Sequence, residues 1–217
     1  MDRRLEVEKP ARRTLSALVA LALAASLLVV WADTARADTF TVENARDQGA
    51  GSLRNAINRA NNQAGPDKIR FRIRGAGVQS INLASPLPEI SGAVTINGYT
   101  QPGASANTLA TGNDAVLKVQ LNGANAGTGP DANGLVIATD DSTIKGLVIN
   151  RFDSRGIVVD GFDTTGNRIE GNFIGTNAAG TGALGNEDGV DIQRADDTTV
   201  GGTAPAARNV ISGNRDA

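Results

Sequence analysis

The chain has 217 residues, of which 40% are hydrophobic, 20% charged and only 3% aromatic, with 26 Gly and a formal net charge of −2. It contains no Cys and no His, which excludes disulfide scaffolds, thiolate or imidazole metal sites, cysteine nucleophiles and histidine-based triads. Five Phe, one Trp and one Tyr are too few to build a stacking platform for single-stranded nucleic acid, whereas a Gly-rich, aromatic-poor composition suits tight turns and small repeating units.

Residues 1–37 read as an export signal. Arg3, Arg4, Lys9, Arg12 and Arg13 form a basic front, residues 15–32 (from Leu15 to Ala32) form an uncharged run of 18, and Ala35-Arg36-Ala37 is a small-x-small cleavage site. Asp38 is then the mature N-terminus. The Arg12-Arg13 pair hints at a twin-arginine signal. The competing reading is an uncleaved anchor, with the run from Leu15 to Ala32 as the one membrane contact. Without residues 1–37 the chain keeps 15 basic and 19 acidic residues. That mildly acidic remainder argues against a nucleic-acid partner.

Residues 38–77 form a first module. Phe40 and Val42 alternate with Thr39 and Thr41, the pattern of a short strand. Ser52 is a good N-cap for a helix over 53–64, with Leu53, Ala56, Ile57 and Ala60 on one face. Gly65-Pro66-Asp67 then makes a turn. Residues 68–74 alternate strictly, with Ile69, Phe71 and Ile73 inward and Lys68, Arg70, Arg72 and Arg74 outward. Those cations read as a stripe for an acidic glycan or cell-wall polymer or, in the preferred reading, as a charged edge that blocks strand-to-strand aggregation.

Residues 78–217 carry no helix signal. Short apolar strands are expected at 78–83, 93–97, 115–121, 134–138, 143–150, 156–159, 167–174, 190–193, 198–200 and 209–212, separated by Gly, Asn, Asp and Thr turns. Three segments align, beginning at Gly134, Gly156 and Gly189. The steps between them are 22 and 33 residues, the longer one holding an inserted loop over 177–187. Seven residues after each Gly stands an Asp: Asp141, Asp163 and Asp196. Such periods leave no room for crossover helices and imply stacked laps of parallel strands, which cannot bury their apolar sides singly. The expected fold is therefore all-β: a right-handed parallel β-helix, or solenoid, with an N-terminal capping α-helix. The three glycines are expected at corners with unusual backbone angles. An antiparallel sandwich is the rival, but it leaves the constant Gly-to-Asp offset unexplained.

The segment Asp47-Gln-Gly-Ala-Gly-Ser-Leu-Arg-Asn-Ala-Ile-Asn-Arg-Ala-Asn61, followed by Asp67-Lys-Ile-Arg-Phe71, resembles the CSLREA-type N-terminal module of bacterial secreted right-handed parallel β-helix repeat proteins. Gly51 stands at the Cys position, so the likeness is to the cysteine-free form. Gly171-Asn-Phe-Ile-Gly-Thr176 and the stretch from Gly201 to Asn214 are similar to that family's rungs. The resemblance implies a capping role for the helix and a secreted, extracellular or cell-surface location. It also implies further rungs beyond Ala217, so that the chain is C-terminally truncated or closes by association. No activity follows, because such families include lyases, hydrolases and adhesins.

Three site hypotheses arise from the residues. Asp141, Asp163 and Asp196, stacked on adjacent rungs, could hold calcium, although Asp before Ser/Thr ordinarily caps a turn with its own backbone. Carboxylate pairs drawn from Asp141, Asp160, Asp163, Asp188 and Asp191 could cleave a glycosidic bond. Arg151, Arg155 and Lys145, with Arg168 nearby, could serve a calcium-dependent lyase by neutralising a uronate and abstracting its proton. Asn150, Asn172, Asn209 and Asn214 read as structural turn ladders. The preferred function is a non-catalytic exported scaffold that contacts polysaccharide. The alternative is a polysaccharide lyase or a related carbohydrate-active enzyme.

Overall fold

The chain divides into two units, Met1–Thr34 and Ala35–Ala217. The computed structural model describes residues 36–216, so the expected leader and the run from Leu15 to Ala32 lie outside the described residues. No helix among the described residues is long and apolar enough to cross a membrane.

Residues 36–216 hold one α-helix and fourteen short strands. In chain order they are β1 (Thr39–Val42), α1 (Leu53–Asn61), β2 (Asp67–Phe71), β3 (Gln79–Asn82), β4 (Val94–Asn97), β5 (Val119–Asn122), β6 (Leu135–Ile137) and β7 (Thr143–Lys145). There follow β8 (Val148–Asn150), β9 (Ile157–Thr164), β10 (Arg168–Glu170), β11 (Phe173–Ile174), β12 (Val190–Ala195), β13 (Thr199–Val200) and β14 (Val210–Ile211). Three sheets result: sheet A in the order β1-β2-β4-β7-β10-β13, sheet B in the order β14-β11-β8-β5-β3, and sheet C in the order β12-β9-β6. From β4 onward the chain visits A, B and C in turn. Every ladder between named strands is parallel, which excludes the antiparallel sandwich.

Parallel register stacks like on like. Ile69, Ile96, Ile144 and Ile169 form one inward column in sheet A, and Ile81, Leu121, Ile149 and Ile174 form another in sheet B. Leu135 on Ile157 and Ile137 on Val159 complete it from sheet C. These residues are buried in a single apolar cluster. Two expected strands, 143–150 and 167–174, are each broken in two. Gly146 (φ +71°) and Gly171 (φ +66°) turn the chain from sheet A to sheet B, a left-handed conformation open to glycine at little cost.

Buried asparagines satisfy these corners. Asn172 accepts from the Leu147 amide at 3.0 Å and donates to the Ile144 carbonyl at 2.9 Å, while its own N–H donates to Asn209 Oδ1 at 2.9 Å. Asn186 stacks on Asn214 in the same way, its Nδ2 donating to Asn214 Oδ1 at 3.1 Å. Asn167, which sequence patterning does not single out, does this work at the corner before sheet A: the Ser142 amide donates to its Oδ1 at 3.0 Å.

The helix buries Leu53, Ala56, Ile57 and Ala60 against β1 and β2. Ser52 caps it, its hydroxyl accepting from the Asn55 amide at 3.2 Å. It ends at Asn61 rather than residue 64. The amides of Asn62 and Gln63 fold back onto Arg59 and Ala60 carbonyls, and the Asn62 side chain takes the Asn58 carbonyl, so the last turn tightens and closes.

Gly134, Gly156 and Gly189 do line up along one edge of sheet C. The Leu135 amide donates to the Gly156 carbonyl and the Ile157 amide to the Gly189 carbonyl, both at 3.1 Å. Their φ angles are not positive, contrary to the expectation of unusual backbone angles. Close approach is the reason for glycine: a Cβ on Gly156 would lie 2.8 Å from the Gly189 carbonyl oxygen, and one on Gly134 would collide with the Gly156 carbonyl.

Candidate functional site

The three sheets offer different outer faces. Sheet B's is covered at β8 and β11, where Val148 and Phe173 are buried with Leu117 in a second apolar cluster, flanked by Tyr99, Ala115, Ala178 and Val210. Sheet A's is open and polar. β2 lies inside sheet A, between β1 and β4, so its cations are not the aggregation-blocking edge that alternation alone suggests. They belong to a continuous surface.

Register arranges that surface as two outward columns. One runs Thr39, Lys68, Thr95, Thr143, Arg168, Thr199; the other runs Thr41, Arg70, Asn97, Lys145, Glu170. Successive members lie about 4.8 Å apart, the spacing of paired strands. Four cations thus face one carboxylate. Glu170 is shared, 3.5 Å from Lys145 Nζ and 3.1 Å from Arg168. Lys68 and Arg70 make no salt bridge among the described residues. Arg70 instead donates to the Thr41 hydroxyl at 2.9 Å.

At the later end the columns border a cleft of about 320 Å³ lined by Asn97, Tyr99, Lys145, Arg168, Glu170 and Thr203. Tyr99 sits in a single 3-10 turn after β4, and its amide donates to Asn97 Oδ1 at 3.0 Å. Its hydroxyl donates to the Gly171 carbonyl at 2.6 Å. The ring lies against Gly146 and Gly171, where no Cβ would fit. Burial first, and then the charge of Glu170, push the phenol up to about 12.

This shift has a direct consequence. A raised phenol value means the folded state favours the neutral form, so the stabilisation is complete below the unfolded value of about 10 and is lost as pH climbs through 12. Tyr99 is the sole tyrosine, so phenolate absorbance reports it alone. The absorbance is expected to rise near pH 12 in the native protein and near pH 10 in denaturant. A native midpoint near 10 contradicts the packing.

The residues singled out for lyase chemistry are not brought together. Lys145 and Arg168 are neighbours on sheet A. Arg151 occupies the corner after β8, exposed and at φ +63°. Arg155 precedes β9, where its Nε lies 3.0 Å from Asp191 and 3.5 Å from Asp188 without a well-aligned hydrogen bond. Asp188 and Asp191 therefore share a guanidinium, and both line a cavity of about 600 Å³. Asp160 is gripped by Nε and Nη2 of Arg194, the closest pair at 2.5 Å.

The expected aspartate column does not form either. β7 pairs with β10 and β10 with β13 such that Thr143, Arg168 and Thr199 are in register. Continuing that register backwards aligns Asp141 with Gly166 and Asp197, not with Asp163 and Asp196. Asp141 and Asp197 both adopt positive φ, 53° and 48°, at this corner. Asp163 falls inside β9, because that strand runs on to Thr164. Asp196 is offset by one, its amide donating to the Thr164 carbonyl at 2.8 Å. Among the described residues, no three acidic side chains gather as a set for a metal ion.

Sequence reasoning missed Tyr99, Asn97 and Glu170. Strict alternation in Arg168-Ile169-Glu170 was the available signal for Glu170. Tyr99 had none, since its partners Gly146 and Gly171 lie far along the chain. No family model matches the sequence, and no curated protein matches it.

Proposed function

We propose that the chain is an exported right-handed parallel β-helix protein, released from its leader between Ala37 and Asp38. It acts as a non-catalytic surface or extracellular scaffold that binds acidic polysaccharide on the outer face of sheet A. The cyclic order of three parallel sheets supports the β-helix, and the near-universal hand of parallel crossovers supports its right-handed sense. The helix over the first lap agrees with the capping module of the secreted family that the sequence resembles.

The observation that carries the binding reading is the pair of outward columns, four cations to one carboxylate on the outer face of sheet A. Cations carried along stacked strands suit a polymer that repeats its own negative charge, such as a polyuronate. The scatter of Lys145, Arg151 and Arg155 over separate places favours a scaffold over a calcium-dependent lyase.

Titration with oligogalacturonate, with and without calcium, tests both readings at once. Binding is expected to weaken steeply as salt rises, because screening shortens the reach of exposed charges from about 10 Å at 0.1 M to about 3 Å at 1 M. No unsaturated product is expected. Turnover that is lost on Arg155→Ala would replace the scaffold with a lyase.

A further inference from the structure

The first lap holds a carboxylate that the glycan surface does not use. Asp67 opens β2 and faces inward, like Ile69 and Phe71 further along the strand. It is only 1% exposed. Its Oδ1 accepts a hydrogen bond from the backbone nitrogen of Asp38 at 2.7 Å. Its Oδ2 is also buried and has no hydrogen-bond partner among the described residues. An ionised carboxylate can accept about four hydrogen bonds, and burial without them is costly. A bare oxygen at this position therefore calls for an explanation.

Asp38 is held firmly enough to supply one. Its carbonyl accepts from the Lys68 amide at 2.8 Å. The next residue, Thr39, starts the parallel ladder with Lys68. The nitrogen of Asp38 is thereby fixed against Asp67 by strand pairing, independently of what precedes it.

We infer that Asp67 is the receptor for the N-terminal ammonium created when the leader is removed, so that processing locks the first lap. The inference rests on the reading that cleavage falls between Ala37 and Asp38. A leader peptidase hydrolyses that peptide bond: water gives its hydroxyl to the Ala37 carbonyl carbon and a proton to the Asp38 nitrogen. The new amine then takes a proton from solvent. Before cleavage this nitrogen is a neutral amide whose single proton serves Oδ1. After cleavage the same nitrogen carries three protons and a positive charge beside a buried carboxylate. One proton keeps Oδ1 and a second turns to the bare Oδ2, both as charge-assisted bonds, which are about twice as strong as neutral ones. Capture of an N-terminal amine by a prepared acceptor is a known mode of recognition; here the acceptor and the amine belong to one chain.

Two chains test this, one starting at Asp38 and one retaining Ala35-Arg36-Ala37, each with Asp67 and with Asp67→Asn. The isosteric Asn keeps an oxygen for the Asp38 nitrogen, and circular dichroism verifies that all four chains fold. The Asp38 start is expected to raise the thermal midpoint by about 5 °C over the extended chain, the shift that one charge-assisted pair produces in a domain of this size. In the Asp67→Asn background the difference is expected to vanish. Equal midpoints for the two Asp67 chains, or an undiminished difference with Asn, would overturn the lock. The intact mass of the exported protein tests the cleavage site separately: a mature terminus other than Asp38 refutes the leader reading, while the four-chain comparison still decides whether Asp67 captures the amine.

Discussion

Gly134→Ala is expected to lower stability by about 3 kcal/mol, the upper part of the range for overfilling a packed site. The reason lies in how β6 and β9 touch. The Gly134 amide donates to the Arg155 carbonyl at 2.9 Å, and the next amide, from Leu135, donates to the Gly156 carbonyl at 3.1 Å. A methyl group on Gly134 would point into that same Gly156 carbonyl and crowd Ile149 and Phe152 at 3.0 Å. Backbone cannot yield as a flexible side chain can. The two strands must separate, losing ladder bonds on sheet C and loosening the core columns beneath. For a domain of this size the midpoint is expected to fall by about 6–12 °C. Gly127→Ala is the informative control. Its φ is +109° but nothing lies within 4 Å of the added Cβ, so only the backbone cost of about 1–2 kcal/mol applies. A Gly134→Ala midpoint within 2 °C of the parent would contradict the close stacking of β6 on β9.

Much of this architecture was legible because stacking writes a period into the chain. The glycine queue, the inward isoleucines and the helix cap are all local or periodic signals. Register between laps is not local. Loops of different length separate equivalent strands, so the constant Gly-to-Asp offset looked like a column. β9 extends to Thr164 while β6 stops at Ile137. Asp163 is consequently inside a strand where Asp141 is at a corner. Likewise, alternation marked Lys68 and Arg70 as outward without revealing whether β2 was an edge. The neighbours β1 and β4 decide that, and they turn a solubility device into part of a charged face. Lys145 and Arg168 stand on the paired strands β7 and β10. Arg151 and Arg155, which flank Asp153 in the chain, lie at the corner after β8 and just before β9.

The outer face of sheet A is the surface on which the functional reading depends, and charge reversal examines it most directly. Arg70 and Lys145 lie in one column, separated only by Asn97. Changing either to Glu removes an attraction and adds a repulsion of similar size, together about 1–2 kcal/mol for exposed charges. That is about tenfold in affinity per residue. Arg151→Glu changes the net charge equally, but at an exposed corner off this face. The deciding measurement is the affinity for oligogalacturonate of Arg70→Glu/Lys145→Glu beside that of Arg151→Glu, at one low salt concentration. A loss of about a hundredfold in the double variant, with Arg151→Glu within about twofold of the parent, is the expected result. Unchanged binding in the double variant, or an equal loss per charge in Arg151→Glu, would contradict it.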